Sequence, residues 1–490
     1  MKKLLLLVPV LLASCGSSPK MQLIEQRTES PLVTLRVTFL RGAASDPAAL
    51  PGVANLTAAM LSDGGTKTKT YQQILDEMFP MATSVQSQVD KEMTTFVGET
   101  HVDNLDKYYA LFRDMVLDPG WREDDLTRLR DQMINYLRVS LRGNNEEELG
   151  KEYLYSLIYA GHPYEHENVG TVSALKKITL DDLKKFYAAN YTQSNLTIAV
   201  AGGYPPSFID KLKADFGNLP EGTPQAIQRP APKPIDGINV RMIQKQTVSV
   251  AYSIGFPIDV KRGDPDWLPL LVMQGYFGPH RNSGGVLFNR MRELRGLNYG
   301  DYAYIEYFPN GMFLFEPSPN LARPEQIFQI WIRPVEPPTA HFALRLALYE
   351  LDKLIKDGIS EEDFQRTRTY LTKYTNLLMK TKQAELGYAI DSKFYGIPAY
   401  AEYVKAGLAK LTRDDVNRAI RKHLQTKNMY IAVVAPNCEE LKAELTSGAP
   451  SPMKYNSPKP KEILDEDKIV EKWPIPIKSI EIVPVDQVFE

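Results

Sequence analysis

The sequence predicts an α+β protein made of two homologous domains, and three observations carry that reading. The first is an internal repeat. LKKITLDDLKKFYAANYTQSNLTIAV (175–200) and LAKLTRDDVNRAIRKHLQTKNMYIAV (408–433) align without a gap, 233 positions apart. Lys177/Lys410, Thr179/Thr412, Asn195/Asn428 and the closing Ile-Ala-Val coincide, which marks a duplicated unit. The second is alternation of helical and strand periodicities along the chain. The third is size. At 490 residues the chain exceeds one ordinary core, and proline-rich stretches near 217–235 and after 448 divide it into halves of usual domain size.

Each repeat opens with a threonine positioned to cap a helix, followed by aspartates that the helix dipole favours. Each then reaches a β-branched strand, 197–201 or 430–434. Apolar spacing predicts further helices over 53–61, 123–141, 342–357 and 360–379. Strands are expected at 32–39, 94–100, 248–254, 299–307 and 311–316, and the tail segment 477–485 could add as an edge strand.

Composition bounds the partners. The chain is 43% apolar and 24% charged with net charge −2, so no bulk electrostatic attraction to nucleic acid is expected. Two cysteines exclude a disulfide framework. Residues 1–14 have two lysines and a short apolar run, the pattern of an export signal. Leu12-Ala13-Ser14-Cys15 resembles a bacterial lipobox, so Cys15 is the expected lipidation site. This predicts an exported lipoprotein of the cell envelope, facing the periplasm and held to a membrane by lipid. The plain alternative is an ordinary signal peptide with an incidental cysteine. Cys438 is expected to be buried or inert. The boundaries read as signal 1–14, tether 15–28, first domain 29–220, linker 221–238, second domain 239–446 and proline-rich tail 447–490.

Two short motifs carry the chemistry. Gly52-Val-Ala-Asn55-Leu-Thr-Ala58-Ala59-Met60, followed by Gly64-Gly65-Thr66, lies on the first predicted helix. Gly284-Gly285-Val-Leu-Phe288-Asn-Arg-Met-Arg292-Glu-Leu-Arg-Gly296-Leu297-Asn298-Tyr299 lies in the second half. Together they resemble the pitrilysin, insulinase and mitochondrial processing peptidase family, the inverzincins, over about residues 30–440. The resemblance implies two α+β domains, each an antiparallel-rich sheet with helices on one face, closing like a clamp around a peptide. It places the zinc-binding H-x-x-E-H at 55–59. Here Asn55 stands for the first histidine, Ala58 for the general base and Ala59 for the second histidine. The third ligand's register falls near Asn135, with Asp131 and Arg138 as charged neighbours. Catalytic zinc needs three protein ligands, so this chain is expected to hold no metal.

The second motif is complete. By resemblance, Arg292 and Tyr299, seven positions apart, hydrogen-bond the substrate carbonyl. Packing alone could also hold an arginine and a tyrosine there. The implied function is a non-catalytic, substrate-binding subunit of a zinc metallopeptidase, inactive alone. Its expected partners are a zinc-bearing homologous subunit and a peptide or unfolded polypeptide. The alternative is a peptide-binding or assembly protein of the same fold.

A literal H-x-x-E-H also occurs, at His162-Pro-Tyr-Glu165-His166. Zinc chemistry needs this pattern on a helix, with both histidines on one face. Gly161 and Pro163 oppose a helix, so a connecting loop is expected.

Overall fold

The structure is a computed structural model that describes residues 21–223, 227–311, 314 and 316–490. The expected export signal and Cys15 lie outside the described residues. Among the described residues, eleven strands form two sheets: β1 (Gln22–Arg27), β2 (Leu32–Phe39), β3 (Val85–Val89), β4 (Thr94–His101), β5 (Leu196–Gly202), β6 (Ile238–Gln244), β7 (Val250–Ile258), β8 (Gly300–Tyr304), β9 (Gln326–Val335), β10 (Met429–Ala435) and β11 (Ile477–Pro484). The first sheet runs β1-β5-β2-β4-β3 and the second β11-β6-β10-β7-β9-β8. Setting β11 aside, the two orders are the same, with β6 in the place of β1 and β10 in the place of β5. In both sheets that pair is parallel, and the strands that follow it pair antiparallel. The duplication seen over 26 residues therefore extends through both halves.

Residues 22–27, read from the sequence as tether, are strand β1, so the first domain begins earlier than expected. Its register beside β5, Gln22↔Thr197 through Arg27↔Gly202, fills the edge that β6 fills in the second sheet. Residues 477–484 do add as an edge strand, parallel to β6. The tail also holds a helix, Lys461–Val470, that composition had hidden under its prolines. Of the strand expected at 311–316, the described Gly311, Leu314 and Glu316 are not in a strand.

Each half covers one sheet face with its own helices. Side-chain alternation along β2 shows the division. Val33, Leu35, Val37 and Phe39 enter the first-half core, while Arg36 points to the opposite face. That opposite face takes a helix from the other half. Helix Lys382–Tyr395 lays Leu386 and Ile390 against Ala199 and Ala201 of β5. Reciprocally, helix Glu146–Ile158 packs Leu154, Tyr155 and Ile158 near Ala432 of β10. The exchanged helices share the tripeptide Glu-Leu-Gly, at 148–150 and 385–387. The glycines permit close approach. A Cβ on Gly150 would lie 2.9 Å from Ser253 Oγ, and one on Gly387 would lie 2.6 Å from Pro319 Cγ.

Buried charges lock the exchange. Arg323 of the second half forks onto Asp90 in the β3–β4 turn, with Nε 2.8 Å from Oδ2 and Nη2 on Oδ1. Its guanidinium lies 3.5 Å from the Tyr307 ring centroid. Lys151, on the first exchanged helix, contacts Glu147 and Glu148 at 2.8 Å each. Its ammonium sits 4.2 Å over the Trp331 ring, among Tyr302 and Phe308. Cys438 is buried, and burial pushes its thiol up to about 11. Among the described residues, no helix is long and apolar enough to cross a membrane.

Candidate functional site

The degenerate zinc motif lies on helix Val53–Ser62. Gly52 opens that helix at φ 104°, a left-handed geometry that glycine adopts freely. Asp46 replaces a conventional cap. Its carboxylate accepts from Gly52 N at 2.6 Å and Ala54 N at 2.7 Å. Asn55 and Ala59 are one turn apart and share a face, as the family's histidines do. Ala58 is fully buried and Ala59 nearly so. Asn135 ends helix Glu123–Asn135 and is exposed, as is Asp131; Arg138 pairs with Glu490 at 2.9 Å. Two methyl groups and a carboxamide do not make a zinc site. Among the described residues, no group of three His, Cys, Asp or Glu side chains could hold a metal ion.

His162-Pro-Tyr-Glu165-His166 forms successive turns, not a helix. Tyr164 N donates to His162 Nδ1 at 3.0 Å, and Gly161 N donates to the Glu165 carboxylate at 2.8 Å. Burial pulls the imidazoles down, His162 to about 4 and His166 to about 3. The loop packs against the segment that opens the motif helix. His166 Nε2 lies 3.8 Å from Asp46 Oδ2, and Gly170 packs backbone to backbone on Pro51 and Gly52. The loop therefore supports the start of the helix that carries the degenerate motif.

Arg292 and Tyr299 come together. Residues Phe288–Glu293 form a π-helical turn, and the chain reverses through Gly296, φ 67°, into β8. Arg292 stacks on Tyr299 with its guanidinium carbon 4.5 Å from the ring centroid. It also lies over the Phe288 ring, at 4.8 Å. Tyr299 is 50% exposed, although it adjoins a strand that is buried throughout. A guanidinium and a phenol hydroxyl on an open surface can both donate to a carbonyl oxygen as negative charge develops there.

Sequence reasoning missed what holds this pair. Arg290 and Arg295 flank Arg292 and anchor its turn to the tail helix Lys461–Val470. Arg295 is fully buried and donates to Asp467 at 2.8 Å and Glu466 at 2.7 Å. Arg290 pairs with Glu350 at 2.7 Å and also with Glu466. Tyr455 adds a 2.5 Å bond to Asp467. The available signal was the acidic, helix-period segment 461–470, five residues of which are charged between Glu462 and Lys468. A second missed residue is Arg281, whose guanidinium lies 4.9 Å from the Tyr299 ring centroid.

Known proteins match this architecture. The model described as insulinase, peptidase family M16, matches residues 22–172, and the one described as peptidase M16 inactive domain matches 177–371. A protein of Rickettsia bellii named uncharacterized zinc protease is 23% identical over 344 residues, 67% of this chain and 76% of that one. The Helicobacter pylori protein named non-peptidase homolog YmxG is 19% identical over 414 residues, 83% and 89% of the two chains. A crystal structure of a peptidase M16 inactive domain from Pseudomonas fluorescens superposes with TM-score 0.74 at 24% identity, covering 86% of this chain and 97% of that one. A chain of complex III from Candida albicans superposes with TM-score 0.66 at 14% identity, covering 92% and 100%. The chain belongs to the insulinase family, peptidase family M16, as a member whose zinc motif is degenerate.

Proposed function

We propose that this chain is the non-catalytic, substrate-binding subunit of an insulinase-type zinc metallopeptidase. One observation carries the reading. The zinc positions hold Asn55, Ala58 and Ala59, while Arg292 and Tyr299 remain paired on an open surface. In this reading the zinc belongs to a homologous partner subunit. Arg292 and Tyr299 donate to the carbonyl oxygen of the peptide bond that the partner cleaves. Their positions are set before substrate arrives, so the donors need little reorganisation as charge develops. The chain is exported and anchored in the cell envelope through Cys15, facing the periplasm. Its substrate is a peptide or unfolded polypeptide.

Reconstitution with a zinc-bearing relative from the same genome tests this. The pair is expected to hydrolyse a peptide that neither chain cleaves alone. Arg292→Ala is expected to slow it on the order of a hundredfold. No association, or unchanged activity of the Arg292→Ala pair, would sink the proposal. The relative named non-peptidase homolog favours a second reading, a peptide-binding protein of the same fold without hydrolysis. That reading predicts peptide binding and no cleavage in any pairing.

A further inference from the structure

Tyr299 lies between two residues whose side chains are bonded to each other. Asn298 Nδ2 donates to Asp301 Oδ1, and also to the Gly300 carbonyl at 3.3 Å. The remaining oxygens of the same two groups, Asn298 Oδ1 and Asp301 Oδ2, are both buried. Among the described residues neither has a hydrogen-bond partner. Asp301 is 0% exposed. A buried acceptor without a donor is unfavourable, and an unpaired buried carboxylate far more so. Arg292 would be the natural counter-charge for Asp301. No carboxylate lies within ion-pair distance of Arg292 among the described residues, however, and its guanidinium leans on the Phe288 and Tyr299 rings.

One proton resolves both orphans. A carboxamide and a carboxyl group are planar forks of matching span. Once one N–H···O bond joins two such forks, the two remaining oxygens can meet only through a proton. Placed on Asp301 Oδ2, that proton is donated to Asn298 Oδ1, while Asn298 Nδ2 donates to Asp301 Oδ1. Both side chains are then satisfied, and no net charge is left out of water. Burial acts in the same direction, pushing the Asp301 carboxyl well above the usual range against the opposing pull of Asn298 and Arg292.

We propose that Asn298 and Asp301 form a cyclic acid–amide pair, with its proton on Asp301 Oδ2, and that Asp301 is the positioning residue for Tyr299 and Arg292. Asp301 is fixed in the β8–β9 ladder opposite Ile332. Through the pair it also fixes Asn298, so the Tyr299 backbone is held on both sides and its ring faces outward. The same proton keeps Asp301 neutral, so it does not compete with substrate for the Arg292 guanidinium. The proposal rests on the reading of Arg292 and Tyr299 as peptide-contacting residues and adds the group that holds them.

The full chain alone, at neutral pH, tests this without any partner. Asp301→Asn replaces the acid by a carboxamide that can make the same two bonds with Asn298, whereas Asp301→Ala makes neither. The infrared spectrum of the parent minus that of Asp301→Asn is expected to show the C=O stretch of a protonated carboxyl, since the other acids cancel. Carboxylate bands in its place would overturn the pair. Amide hydrogen exchange across residues 296–302 is the second readout. It is expected to match the parent in Asp301→Asn and to be about tenfold faster in Asp301→Ala. Circular dichroism checks folding. If Asp301→Ala does not fold, Asn298→Ala removes the same two bonds and is expected to show the same acceleration. Equal acceleration in the carboxamide and alanine variants, or none in either, would overturn the positioning role. These readouts are separate from the subunit reading, which is decided by the activity of the reconstituted pair.

Discussion

Asp90→Ala would strip the Arg323 guanidinium of the carboxylate that crosses from one half of the molecule to the other. Both side chains are out of water, Arg323 at 1% exposure and Asp90 at 0%. The guanidinium cannot escape to solvent, because the Tyr155, Tyr164 and Tyr307 rings surround it. Removing one partner of a buried pair costs about 3–5 kcal/mol, since the other charge stays buried. An exposed pair would cost less than about 1 kcal/mol. The variant's urea midpoint, followed by far-ultraviolet circular dichroism, should therefore fall by an amount matching the larger range. Replacing both residues, Asp90→Ala with Arg323→Met, removes the stranded charge and should recover most of the loss. A single variant within about 1 kcal/mol of the parent would refute the burial argument. So would a double variant less stable than the single one.

Three further outcomes follow from the same structure. Asp467→Ala should cost about 2 kcal/mol, because Arg295 loses one of two charged acceptors, and should speed amide exchange across residues 288–299; unchanged exchange there would mean that the tail helix does not position Arg292. His162 and His166 are held below the ordinary value near 6.5, so their contribution to stability is full above about pH 6.5 and is lost as pH falls toward 4 and then 3. His162→Asn should lessen that acid loss in urea midpoints, and an identical profile would argue against a buried neutral ring. Finally, residues 21–223 expressed alone should fail to unfold cooperatively, because sheet one then lacks the helix Lys382–Tyr395 over Ala199 and Ala201; a sharp thermal transition from this fragment would contradict the helix exchange.

Much of the fold is legible in the sequence where one segment decides its own structure. The Thr179 and Thr412 caps, their first-turn aspartates and the following strands are local features, and all appear where the repeat places them. The motif helix and the 162–166 loop are equally local: a glycine and a proline settle the second. What escaped depends on distant partners. Strand β1 has no strong alternation of its own and exists because β5 offers an open edge. The helix exchange is written only in Gly150 and Gly387, whose meaning appears once Ser253 and Pro319 lie against them. Arg292 and Tyr299 are legible as a spacing, but Arg281 and the Glu466–Asp467 grip reach them from outside the motif.

The central proposal is that this chain supplies hydrogen-bond donors to the peptide carbonyl at a zinc site held by a partner subunit. The most direct test is peptide hydrolysis by the purified pair of this chain and a zinc-bearing relative, measured beside the Arg292→Ala pair at equal zinc content. The account predicts cleavage only in the pair, slowed on the order of a hundredfold by the substitution with association intact. Equal rates for both pairs, or full activity of the relative without this chain, would contradict it.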